Sequence, residues 1–366
     1  MLESSPYVVN WGQVVLPYWF LFLIPAIGAL HEAPPSSRPG ARKPALIGAV
    51  LLFSIMIGFR YQVGGDWYTY ADMFSNIEYF SFLDVIKSSE PGYFLLNWIV
   101  VQAGGDVWIV NLFCGLLFSI GLAMFARNQP RPWLALLIAV PYLVIVVAMG
   151  YSRQGVAIGF AMMALTALDR DQSNFKFILY IILAACFHKT AVALAPIAAL
   201  SSPHRRIWTF MWLGIAALIL YYVFLSESVD QFQKNYLEAE YQSQGAAIRV
   251  AMNAVPAVLF LLLRQQFKLS VNGRLLWTNM SLVALALVPL LLISPSSTAV
   301  DRMALYAIPL QVFVFSRVPD AMLPRVQGLN AVTLAVVGYC ALVQFVWLNF
   351  GQFSSAWVPY QFYPLL

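Results

Sequence analysis

The chain reads as a succession of apolar runs separated by short polar breaks. The runs fall at 16–30, 44–59, 107–126, 132–150, 154–168, 174–187, 190–202, 206–225, 250–264, 276–293, 302–316 and 326–349. In hydrocarbon every backbone amide must find its partner within its own segment, so separate apolar runs predict an α-helical membrane bundle. A bilayer core takes roughly 20 helical residues, and several runs are shorter. The expectation is an all-α polytopic protein of about 12 transmembrane helices, some short or re-entrant, forming one integral-membrane domain over residues 1–366.

Two stretches resist simple crossings. "PGYFLLNWIVVQA", 91–103, looks like a span, yet a full crossing there breaks the alternation of sides; a half-helix or interfacial helix is expected instead. The run 174–202 is interrupted by "HKT" at 188–190 between two basic flanks, which implies two short helices meeting near the outer side, with one long helix as the competing reading. Trp67, Tyr70, Ala71, Phe74 and Ile77 share a helical face, fitting an amphipathic helix in the outer interface. It belongs to an outer segment at 60–106. A second outer segment, 226–249, is acidic, aromatic and long enough to act as a lid.

Charge orients the bundle. The loops 31–43, 127–131, 169–176, 203–206, 264–275 and 317–325 carry 14 of the 21 Lys and Arg residues and four acids, so they are expected in the cytoplasm. The net charge of +5 then needs no nucleic-acid partner. Composition agrees, at 61% hydrophobic and 10% charged. Soluble domains run near a quarter charged. The N-terminus lacks a basic n-region, so no cleaved signal peptide is expected. Cys114, Cys186 and Cys340 lie in apolar runs without metal-type spacing and read as core residues.

Against this pattern, Arg60, Arg153, Arg249 and Arg302 fall on the outer side. The last three are expected where an inward-running helix begins. A cation there opposes the helix dipole, and a bound anion would compensate, since free amides at helix starts favour phosphate. Arginine adds a fork matched to phosphate oxygens. The plainer readings are snorkelling to headgroups and, for Arg302, pairing with Asp301. Asp66 follows Gly64-Gly65 and is either the N-cap of the amphipathic helix or a general base. Glu90 is a solvated loop acid or a second base, and Asp301 a cap for a helix starting at Arg302 or a third. His188, beside Lys189 and Thr190, is a core histidine or an acid–base group.

The pieces "FRYQVGGDWYTY", "EPGYFLLNWIV", "MGYSRQGVAIGFAMMALTAL", "FILYIILAACFHKTAVALAPI" and "DRMALYAIPL" occur in that order between residues 59 and 310. In this ordered set the chain resembles the EpsG-like, Wzy-type polymerases of bacterial exopolysaccharide, capsule and O-antigen. The resemblance implies a GT-C-like glycosyltransferase of the inner membrane, inverting and metal-independent, without a cofactor. It would polymerise undecaprenyl-pyrophosphate-linked repeat units at the periplasmic face. The implied partners are lipid-linked donor and acceptor, the bilayer, a chain-length regulator and a flippase. The matching positions give Arg60, Arg153, Gln154, Arg249 and Arg302 to substrate binding and Asp66, Glu90, Asp301 and His188 to catalysis, and Lys189 is added to the expected substrate-binding residues. Lys189 stands where the family often has a proline or small residue. Asp66 is the favoured base, and Trp67, Tyr68 and Tyr70 would stack on sugar. A polysaccharide ligase and a lipid-linked sugar flippase remain as alternatives. A membrane acyltransferase built on His188 fits less well, because no acid partner is evident near it in the sequence.

Overall fold

The computed structural model describes residues 11–32, 43–201, 245–294, 297–322 and 331–366, with isolated positions 211 and 214. The expected span at 206–225 and most of the expected lid, 226–244, lie outside the described residues. Among the described residues the protein is helical, without a named strand; extended backbone pairs at an isolated bridge between Arg60 and Phe362.

Helices α1 (Trp11–Leu30), α2 (Lys43–Gly58) and α6 (Val107–Ala126) frame the first part of the bundle. Between α2 and α6 lie three short helices, α3 (Trp67–Asn76), α4 (Phe82–Lys87) and α5 (Pro91–Gln102). At 12 residues α5 is too short to cross a bilayer, as its sequence context required. α3 buries Trp67 and Tyr70 on one face and exposes Tyr68, the amphipathic pattern expected of it.

α7 (Pro132–Ala139) continues directly into π-helical turns at Val140–Ala148. Pro141 supplies a cause: it lacks a donor and its ring crowds the carbonyl one turn back, and wider winding relieves both. Every residue from Leu134 to Met149 is buried. An apolar helix with no polar face must be enclosed on all sides, and this one forms the axis of the bundle. α8 (Ser152–Asp169) packs against α6, where glycines permit close approach: a Cβ on Gly121 would stand 2.3 Å from the Gly159 carbonyl oxygen.

α9 (Asn174–Phe187) stops at His188, whose φ of −155° and ψ of 112° leave the helical region. A 3-10 segment (Lys189–Leu194) and α10 (Ala195–Ser201) follow, so the run 174–202 is two pieces rather than one long helix. The rest comprises α11 (Ala246–Leu263), α12 (Val271–Ile293), α13 (Ser297–Leu305), α14 (Ile308–Phe315), α15 (Val318–Met322) and α16 (Ala331–Phe350).

Four helices, α6, α11, α12 and α16, are long and apolar enough to cross a membrane, and α13 with α14 makes a fifth span bent by 40°. Shorter apolar helices are Val15–Leu30, Ala45–Gly58, Pro132–Ala148 and Asn174–Phe187. Among the described residues, four to five full-length spans and four shorter apolar helices thus stand beside the expectation of about 12. The run 302–316 is corrected. Its helix begins earlier, at Ser297, and breaks at Tyr306–Ala307 ahead of Pro309, which has no N–H to carry the ladder across and sits instead in the first turn of the next helix.

The two ends of the bundle differ in their charges. At one end Arg131 holds Asp320 through Nε (3.1 Å) and Nη2 (2.8 Å). There Glu32 accepts the backbone N–H groups of Trp133 and Leu134 at the start of α7, where a negative charge meets the positive helix end. The candidate site lies at the other end. Residues 351–366 fold back over it: Gly64 N–H donates to Ala356 O at 2.7 Å, Tyr61 N–H to Gln361 O at 2.9 Å, and Tyr363 N–H to Phe59 O at 2.7 Å.

Candidate functional site

The loop after α2 carries the first motif. Gly64 adopts φ +110°, and a Cβ there would stand 2.3 Å from the Met149 carbonyl oxygen, so only glycine lets the loop lie against the end of the central helix. Asp66 N–H then bonds Gly150 O at 3.3 Å. Asp66 occupies the N-cap position of α3, yet its carboxylate accepts no cap hydrogen bond and lines a cavity instead. The cap reading of Asp66 is therefore set aside.

Arg60 is the main correction. It was expected to bind substrate, but its guanidinium is fully buried beneath the loop and does not line the cavity. Nε donates to Val63 O (3.2 Å), Nη1 to Ile57 O, and Nη2 to Asn111 Oδ1 (3.1 Å) and Ser152 Oγ (2.6 Å). It ties the end of α2 to α6 and to the first residue of α8. Trp67 is drawn inward with it, its ring 5.8 Å from the guanidinium carbon. Trp67 is thus a packing residue and not an exposed sugar platform. Tyr68 is exposed away from the cavity.

Glu90 precedes α5 and is 3% exposed, which overturns the reading of a solvated loop acid. One oxygen meets His188 Nδ1 at 2.6 Å and the other accepts from Arg153 Nη1 at 2.6 Å. Burial alone would raise its pKa. The hydrogen bond of His188, its charge where the ring is protonated at acid pH, and Arg153 outweigh burial and hold it down at about 2. Asp66 behaves oppositely: burial dominates the attraction of Arg153, Arg302 and His188 and raises its pKa.

His188 reaches Glu90 because α9 ends at that residue and the chain turns away. Its Nε2 is buried and has no hydrogen-bond partner among the described residues. Arg153, second residue of α8, sits with its guanidinium carbon 5.6 Å from the Tyr70 ring and 5.8 Å from the Tyr93 ring. Its Nε is likewise buried without a partner. Gln154 Nε2 donates to the Arg302 carbonyl at 3.2 Å and fixes α13 against α8.

Arg249 stands in the first turn of α11, as expected, and grips Asp301 with both forks, Nε to Oδ1 and Nη2 to Oδ2. Asp301 and Arg302 lie in the second half of α13, not at a helix start. The expectation of a cap at Asp301 is corrected by this earlier helix start, and the carboxylate meets the Arg249 fork. Lys189 opens the 3-10 segment and does not line the cavity.

Asp66, Tyr70, Arg153, Gln154, His188, Arg249, Asp301 and Arg302 thus meet in one cavity of about 230 Å³. Tyr142, Tyr151, Thr298, Leu305, Trp347 and Phe353 complete its lining and were not singled out by sequence. Tyr151 sits inside the quoted motif "MGYSRQG", beside Arg153. Trp347 and Phe353 lie beyond the last motif, where the aromatic cluster "FVWLNFGQFSSAW" was the available signal.

Three guanidinium groups, a carboxylate outside any ion pair among the described residues, and an imidazole oriented by a second carboxylate face one volume. An arginine has five donors and a carboxylate uses at most two or so of them, leaving others for an anionic ligand. A sequence model of the EpsG family matches residues 45–362. Neither the curated proteins nor the solved structures contain a match. With the family match running through every motif that builds the cavity, the chain belongs to the EpsG family of Wzy-like polysaccharide polymerases.

Proposed function

We propose that the protein polymerises oligosaccharide repeat units carried on undecaprenyl pyrophosphate, at the periplasmic face of the bacterial inner membrane. The observation that carries this reading is the meeting of Arg153, Arg249 and Arg302 with Asp66 and His188 in a single cavity.

The anomeric carbon of the donor loses its bond to the diphosphate oxygen, and the electron pair leaves with the diphosphate. Preorganised guanidinium groups stabilise that growing negative charge, which is the role of Arg153, Arg249 and Arg302. The acceptor hydroxyl forms the new bond to the same carbon and gives up its proton. Glu90 and Asp301 do not suit the base, since His188 and Arg153 occupy the oxygens of one and Arg249 those of the other. His188 suits it better. With Nδ1–H donated to Glu90, the lone pair of Nε2 is left for the acceptor proton, and Nε2 has no other partner among the described residues. Asp66 then orients the acceptor hydroxyl by accepting from it or from a neighbour. Small-molecule sites commonly run about 300–1,000 Å³, so a cavity of about 230 Å³ suits a diphosphate with the reacting sugar rather than an entire repeat unit.

The test is reconstitution. Purified protein incubated with a lipid-diphosphate-linked repeat unit is expected to yield a glycan ladder. A single added unit with no ladder would indicate a ligase, and no new glycosidic bond would contradict the proposal.

A further inference from the structure

The cavity has a second wall that charge does not explain. Trp347, Phe353, Tyr142 and Tyr151 line it, and among the described residues Leu305 is its one aliphatic side chain. An isoprenoid tail would be matched by aliphatic packing. Flat rings with polar tips suit a ligand that is apolar on one face and hydroxylated at its edge. A pyranose has that character, with its C–H face laid on a ring and its hydroxyls turned to donors.

The rings are fixed rather than loose. Trp347 lies edge-on to Trp357, centroids 5.5 Å apart and planes at 83°, and Tyr151 stands 6.3 Å from the same ring. Trp357 is in turn anchored by its Nε1–H to the Ile145 carbonyl at 2.7 Å and by a hydrogen bond from the Tyr18 hydroxyl. Trp347 has a further mark of an unmet ligand. Its Nε1–H is buried and has no acceptor among the described residues. Buried donors normally find a partner, and a sugar oxygen in the cavity would provide one. Phe353 is 55% exposed at the rim.

We infer that Trp347, Phe353 and Tyr151 form a sugar-binding wall, with the Trp347 indole N–H donating to a hydroxyl of the bound pyranose. This rests on the glycan-transfer reading, and it moves the sugar platform from Trp67 and Tyr68 to the C-terminal part of the chain.

The experiment uses the full-length protein, its lipid-linked donor, and as acceptor the lipid-free oligosaccharide released from that donor by mild acid. Trp347→Leu is expected to raise the KM of one substrate about five- to tenfold, the range expected of one aromatic contact. Inhibition by inorganic diphosphate should stay unchanged, which also reports an intact arginine wall. A rise for the oligosaccharide alone places the acceptor sugar on the rings; a rise for the lipid-linked substrate alone places the donor sugar there. Trp347→Phe, which keeps a ring and removes the N–H, should fall between. Phe353→Ala removes a rim residue without disturbing helix packing and should shift the same substrate. Unchanged KM for both substrates in Trp347→Leu and Phe353→Ala overturns the wall and leaves the polymerase reading standing. If the unaltered protein makes no polymer, that reading fails separately. Calorimetric titration with the oligosaccharide then decides the wall, and equal affinity in unaltered protein and Trp347→Leu overturns it.

Discussion

Glu90 and His188 are 98 residues apart in sequence and joined by a 2.6 Å contact between a carboxylate oxygen and Nδ1. Each side of the contact is placed by an interruption in helix. Glu90 stands just before α5, and His188 where α9 gives way to a 3-10 segment. With Nδ1 committed, the imidazole presents Nε2 to the site.

If Nε2 takes the acceptor proton, His188→Ala should lower kcat by roughly 10²–10⁴, the usual contribution of a general base. KM for the lipid-linked donor should change little. Glu90→Gln should lose much of the same factor, because an amide can set the wrong tautomer and leaves Arg153 without its anion. Steady-state rates of glycan formation, with protein folding checked by size-exclusion profile, measure both.

Substitution within the arginine group should separate charge from shape. Arg153→Lys keeps the charge and loses the planar fork, so it should still cost about tenfold or more in kcat, since arginine and lysine are not equivalent at forked sites. Arg249→Ala should hurt folding as well as rate, because it takes a two-pronged cation from the buried Asp301 carboxylate. Removing one partner of a buried pair commonly costs about 3–5 kcal/mol; this pair keeps 14% and 11% side-chain exposure, so a smaller loss is expected. Thermal melts of the purified variants in detergent report it.

Arg60 is expected to behave as a structural residue. Arg60→Met removes the guanidinium donors to Ser152 and two carbonyls and leaves Asn111 Oδ1 with the Ser152 hydroxyl alone, and unmet buried groups cost about 1–3 kcal/mol each. The variant should melt markedly lower. Any correctly folded fraction should bind inorganic diphosphate as well as the unaltered protein does. A pure loss of diphosphate affinity with an unchanged melt would return Arg60 to the substrate.

The two cavity-end carboxylates should give opposite pH signatures. Glu90 titrates lower in the fold than its ordinary value of 4.5, at about 2. Its contribution to stability is therefore fully present above about 4.5 and lost as pH falls towards 2. Asp66 is shifted upward by burial, so its ionisation opposes folding, and stability from its neutral form is lost as pH rises through its raised pKa. Melting curves between pH 3 and 7 should show Glu90→Gln less sensitive to acid than the unaltered protein. Asp66→Asn should gain relative stability towards the neutral end of that range.

Much of this was legible in the sequence, for identifiable reasons. Apolar runs gave the helices, and the "HKT" interruption gave the break at His188, since polar residues in an apolar run must be satisfied by something. Arg153 and Arg249 at helix starts were visible as violations of charge bias. The relationships across the chain were not legible. Nothing local distinguishes Glu90, buried against His188 and Arg153, from a solvated loop acid. Arg60 carries the same signal as Arg153, yet the Gly64 turn folds it under the loop, and only the positions of Asn111 and Ser152 reveal that. The start of α13 was missed because "SSTAV" is weakly apolar and conceals the turn of helix that places Asp301 opposite Arg249.

The most direct test of the central claim counts products. Radiolabelled lipid-diphosphate-linked repeat units are given to purified protein, and released lipid diphosphate is measured against glycosidic bonds formed. The account predicts one lipid diphosphate per bond, with both lost in His188→Ala and in Arg153→Gln. Movement of intact lipid-linked units across a vesicle membrane, with no diphosphate released and no bond made, would contradict it.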